Sequence, residues 1–158
     1  MVTFGDTVYV AAATYVPPTF MGIQLMNRGG VSYVAVGHVV IDVSTVARGG
    51  NNQSYGFFIA YDGSTTFNTS TVIDGFEIIG CQYAVFISGG GGNIIRNCKL
   101  HGLRPAQIDS DVNIQYACAS GVILAASHNN EVYKNVIYDV KPLTGHDATN
   151  IAAGILNV

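Results

Sequence analysis

The side chains able to hold a cation, bind an anion or move a proton gather in a few polar stretches of this 158-residue chain. "DSDVN" at 109–113 places Asp109 and Asp111 in the Asp-x-Asp-x-Asn spacing that opens a calcium loop. An EF-hand needs Gly next and a closing carboxylate, and Ile114 and Ser120 stand there instead. The pair is therefore a candidate only for an irregular Ca²⁺ site. "GHD" at 145–147 sets the His146 imidazole beside the Asp147 carboxylate, although adjacent side chains rarely aim at one atom. Arg48, His101, Arg104 and Lys141 supply the cationic donors that a carboxylate-bearing ligand requires. Asp109, Asp111, His146 and Asp147 are thus the candidate catalytic or metal-holding groups. Arg48, His101, Arg104 and Lys141 are the candidate substrate-binding groups for an acidic sugar. The plain alternative is a set of solvated loops with Asx turns.

Composition narrows what such residues can serve. The chain is 49% hydrophobic and 11% charged, too apolar to stay disordered and long enough for one domain over 1–158 with a real core. Net charge is −3 with seven Lys and Arg and no basic stripe, so nucleic acid is not an expected partner. No apolar run approaches the roughly 20 residues of a membrane helix. The opening "MVTFGDTVYV" lacks the basic start and apolar centre of a signal peptide.

The elements that must position these residues show themselves as a repeat. "NIIRNCKL" (93–100) returns as "NEVYKNVI" (130–137), and "VAVGHVVI" (34–41) and "TVIDGFEI" (71–78) fit the same frame. The frame expects three inward ladders: Val36, Ile73, Ile95 and Val132; then Val39, Phe76, Cys98 and Asn135; then Ile41, Ile78, Leu100 and Ile137. Val8 and Val10 of "DTVYV" begin a fifth, partial copy. A second strand type follows each copy: "GIQL", "GFFI", "AVFI", "GVIL" and "GILN". Alternation at period two marks strands. Recurrence at short, uneven spacing marks a solenoid whose coils carry inserted loops.

"GDTVYVAAATY", "TVIDGFEIIG", "YAVFISGGGGNIIRNCKLHG" and "SGVILAASHNNEVYKNVIYD" together resemble the right-handed parallel β-helix, the pectate-lyase-like superfold. The resemblance implies an all-β, short, single-stranded solenoid of about five coils. By analogy it implies an extracellular setting and a polysaccharide partner. It does not imply a reaction, because lyases, hydrolases, tailspikes and adhesins share the fold. Arg96 is the only ladder arginine, and the frame stacks it between Asp74 and Tyr133, as a cross-coil ion pair would require.

Insertions concentrate at one corner. From first to second strand the steps are 16, 7, 22 and 18 residues (Ile41 to Phe57, Ile78 to Val85, Leu100 to Val122, Ile137 to Ile155). Returning steps are shorter on average. The long-loop corner holds Asp42, Arg48, His101, Arg104, Asp109, Asp111, Asp139, Lys141, His146 and Asp147, and loops on a rigid scaffold usually carry function.

Three further features bear on assembly. Cys81 and Cys118 take the same place on adjacent coils, which suits a disulfide. Phe58, Phe86, Ile123 and Leu156 follow Gln24 in an outward stripe that either a loop or another subunit must cover. The chain stops within a repeat, at "GILNV". A fragment of a longer solenoid, or a homo-oligomer that buries its ends, would account for that. Two functions therefore stand side by side: a carbohydrate-binding or carbohydrate-active domain, and a structural module that self-associates through the stripe or the ends.

Overall fold

The computed structural model describes residues 5–26, 30–46, 53–60, 70–105, 119–141 and 152–158. These residues form twelve strands and no helix. One sheet stacks β1 (Thr7–Tyr15), β3 (Ser32–Asp42), β5 (Val72–Ile79), β7 (Ile94–Arg96) with β8 (Lys99–Leu103), and β10 (Glu131–Tyr133) with β11 (Val136–Val140). The other stacks β2 (Ile23–Met26), β4 (Tyr55–Ala60), β6 (Tyr83–Ser88), β9 (Ala119–Ala125) and β12 (Ala152–Asn157). All pairings are parallel, and the chain alternates between the two sheets once per coil. Five coils result, as the repeat requires.

Each coil has to deliver apolar side chains to one lumen, and the register shows that it does. Ile41, Ile78, Leu100 and Ile137 stack in line, as do Ile23, Phe57, Val85, Val122 and Ile155. Phe57, Ile59, Ile73, Phe76, Ile78, Ile87, Ile95 and Leu100 are fully buried in this core. The expected first ladder needs one correction. Tyr33, not Val36, pairs with Ile73, because four residues of β3 (Ala35–His38) lie opposite the single Gly75 of β5. Gly37 (φ 83°) and Gly75 (φ 84°) let the backbone make that excursion. Val36 is lifted out of the lumen and is 53% exposed.

Polar residues at the bends serve the backbone. Asn93 Oδ1 accepts the Thr71 N–H (3.2 Å), and Asn93 in turn donates its N–H (3.2 Å) and Nδ2 (2.9 Å) to Asn130 Oδ1. Asn135 accepts the Cys98 N–H and donates to the Ile95 carbonyl, both at 2.9 Å. These are satisfied structural groups. "SGGGGN" is a turn, with Gly89, Gly90 and Gly92 at positive φ. Cys81 is buried, and Cys118, its expected disulfide partner, lies outside the described residues.

The outward stripe lies in one line as expected, Gln24–Phe58–Phe86–Ile123–Leu156. In the single chain it forms a second apolar cluster with Tyr55, Tyr83 and Met21. Phe58 and Phe86 stack with centroids 5.5 Å apart, and Tyr55 meets Phe86 edge-on at 5.5 Å. Ile123 keeps only 4% of its surface exposed.

Candidate functional site

The strands β3, β5, β8 and β11 end side by side, so the corners that follow them stack as well. Val43 N–H bonds to the Ile79 carbonyl, Arg104 N–H to Cys81, and Lys141 N–H to Leu103. An open cleft of about 630 Å³ lies along these corners, lined by Ser44, Gly80, His101, Arg104 and Pro105 among others. Gly80 (φ 73°) is required here: a Cβ would sit 2.5 Å from Ser44 Cβ and 2.6 Å from Ser44 N. Ser44 is pinned by Asp42, whose Oδ1 accepts both its N–H (2.9 Å) and its hydroxyl (2.6 Å).

At the edge of this cleft Glu77 gathers three donors. Oε2 accepts from His38 Nε2 at 2.6 Å; Oε1 accepts from His101 Nε2 at 2.6 Å and from Lys99 Nζ at 2.9 Å. Hydrogen bonds from His38, His101 and Lys99, in that order, hold the Glu77 carboxyl down to about 2. Glu77 is therefore ionised at neutral pH and can only accept. Both imidazoles then present an N–H on Nε2 toward it, and in the neutral tautomer of His101 that meets this demand Nδ1 is the acceptor. The His101 ring is further fixed by Tyr138, stacked on it at 4.6 Å and 8°. Lys99 Nζ lies 5.8 Å from the centre of the same Tyr138 ring.

One coil further on, Asp139 pairs with Lys141 (2.7 Å) and with Arg104 (3.7 Å). The hydrogen bond from Lys141, helped by the charges of Lys141 and Arg104, lowers its carboxyl below the usual range. Arg104 and Lys141 follow corresponding residues of β8 and β11, so their cationic heads mark consecutive coils along the cleft.

Of the residues singled out in the sequence, the structure brings His101, Arg104 and Lys141 to this corner, with Asp42 and Asp139 nearby. Arg48, Asp109, Asp111, His146 and Asp147 lie outside the described residues, and the Ca²⁺ expectation lies there with them. Among the described residues no three His, Cys, Asp or Glu side chains are arranged to hold a metal ion. Arg96 is the cross-coil ion pair expected of it, donating to Asp74 at 2.8 Å and to Tyr133 at 3.1 Å. Sequence reasoning missed Glu77, His38, Lys99 and Tyr138. A signal was present for two of them: Glu77 and Lys99 hold one outward position on adjacent coils, as opposite charges that pair across a sheet do.

No curated protein and no solved structure matches the chain. A family model does match, that of the right-handed beta helix region, over residues 22–153. Five parallel coils, stacked lumen ladders and this match agree, and the chain belongs to the right-handed β-helix family.

Proposed function

We propose that this chain binds an acidic polysaccharide along the cleft at the ends of β3, β5, β8 and β11. The observation that carries the proposal is a gathering of cations. Lys99, Arg104 and Lys141, three of the seven Lys and Arg, stand here beside Glu77, Asp139 and Asp42, on a chain of net charge −3. Glu77 and Asp139 already serve cations, Asp42 is taken up by Ser44, and Arg104 and Lys141 keep 59% of their side-chain surface open to solvent. Their placement on consecutive coils, about 4.8 Å apart per step, suits a polymer with regularly spaced carboxylates. His101 adds chemistry to binding: its Nδ1 acceptor, oriented through Nε2 by Glu77, is built as a general base would be.

Titration calorimetry with a soluble polyuronate and with a neutral glucan tests this. Binding of the polyuronate should weaken as salt is raised, and Arg104→Ala should weaken it about tenfold, or 1.4 kcal/mol. Equal binding of the neutral glucan, or an unchanged Arg104→Ala variant, would rule the proposal out. The same titrated samples, assayed for new reducing or unsaturated chain ends, report whether His101 acts on the ligand. Loss of such ends in His101→Gln with binding retained is the expected mark of a base.

A further inference from the structure

β11 carries a carboxylate where the two preceding coils carry glycine. Ile79 pairs with His101 and His101 with Tyr138, so Gly80, Gly102 and Asp139 take successive places in one ladder. All three have the left-handed backbone that favours Gly, with φ of 73°, 64° and 51°. Gly80 is dictated by Ser44, but a Cβ at Gly102 would meet nothing closer than 3.8 Å beyond its chain neighbours. The corner itself therefore asks for no side chain, and two coils close without one. Asp139 departs from the repeat in a way that packing does not explain.

Its carboxylate lies across the two cations that the cleft offers on consecutive coils. Oδ1 is 2.7 Å from Lys141 Nζ and Oδ2 is 3.7 Å from Arg104 Nη2, one oxygen to each. A uronate carboxylate bridging the same pair would stand in the same place. The longer contact is beyond hydrogen-bond range, and the pair faces solvent, so displacing Asp139 costs little. The backbones of both cations are anchored elsewhere. Arg104 N–H bonds to the Cys81 carbonyl at 2.9 Å, and Lys141 N–H to that of Leu103 at 3.0 Å.

We infer that Asp139 is a built-in competitor, an internal carboxylate that occupies the Arg104–Lys141 clamp until a carboxylate of the polysaccharide displaces it. This rests on the binding reading above and adds an autoinhibitory contact to it. A single uronate that must displace Asp139 gains little. A polymer that engages several cations at once offsets the displacement through its other contacts, so the contact favours polymer over monomer.

Calorimetry of the 158-residue chain with the soluble polyuronate tests this. Two variants remove the competitor: Asp139→Gly restores the residue of the preceding coils, and Asp139→Asn keeps the side chain without its charge. Each should bind about fivefold tighter than wild type at low salt. Glu131→Gln removes an exposed carboxylate of the same coil outside the clamp, and should leave the affinity unchanged. Equal tightening by Glu131→Gln overturns the inference, since net charge alone would then be acting. Unchanged or weaker binding by both Asp139 variants, each folded by circular dichroism, overturns it as well and makes Asp139 a residue that positions the clamp. If wild type and variants alike fail to bind, the binding reading itself falls and takes the inference with it.

Discussion

Glu77 shows how a single carboxylate can organise a site. Its ionised form is held by His38, His101 and Lys99, so its pKa is depressed on folding. The sign follows directly: this contribution to stability is complete above 4.5, the ordinary carboxyl value, and is lost as pH falls toward about 2. Glu77→Gln should cost about 1 kcal/mol near neutrality, since the pairs are partly solvated. Urea melts of wild type and variant should converge as pH is lowered through that window. A gap that stays constant down to the acid end would show that Glu77 contributes no charge-dependent stability. Little of this was legible beforehand. His101, Arg104 and Lys141 were found from their types and from the loop they border. Glu77 and His38 were not, because His38 reaches the carboxylate only through the four-residue excursion of β3, which alternation alone does not reveal.

At the scale of the element, the bends decide whether coils stack. Asn93 is fully buried and supplies the acceptor for the Thr71 N–H. Asn93→Ala should therefore destabilise by about 2 kcal/mol, more than Asn130→Ala, whose site is only half-buried. Equal costs in chemical denaturation would count against an ordered ladder. Gly80 is the tighter constraint, combining positive φ with Ser44 packed against it. Gly80→Ala should cost about 2–4 kcal/mol from strain and overpacking together, and the loss of polyuronate affinity should exceed that of a surface substitution, because Ser44 lines the cleft. The strands themselves were readable because period two leaves few alternatives. The outward line from Gln24 to Leu156 falls where the sequence placed it. Val36 was misplaced because a bulge inserts residues without breaking the apolar pattern on either side.

For the whole molecule, stability should be graded along the axis. Coils contact only their neighbours, so an inner coil is held from two sides and an outer one from one. Native-state hydrogen exchange at high dilution should find β4, β5 and β6 most protected and β1 and β12 least. Uniform protection would mean that the solenoid opens only as one unit.

The step between the third and fourth coils has a consequence for how such a chain could arise. Val72, Ile73 and Asp74 pair with Ile94, Ile95 and Arg96, and Glu77, Ile78 and Ile79 with Lys99, Leu100 and His101, always 22 residues on and without a bulge. Residues 72–93 therefore amount to a module with compatible upper and lower faces. An in-frame duplication of that stretch of gene would add one rung, repeating Asp74 and Glu77 on the outside and Ile73, Phe76 and Ile78 within. Length in this architecture is thus a quantity that copying errors can change in whole steps, with the packing rules already in place.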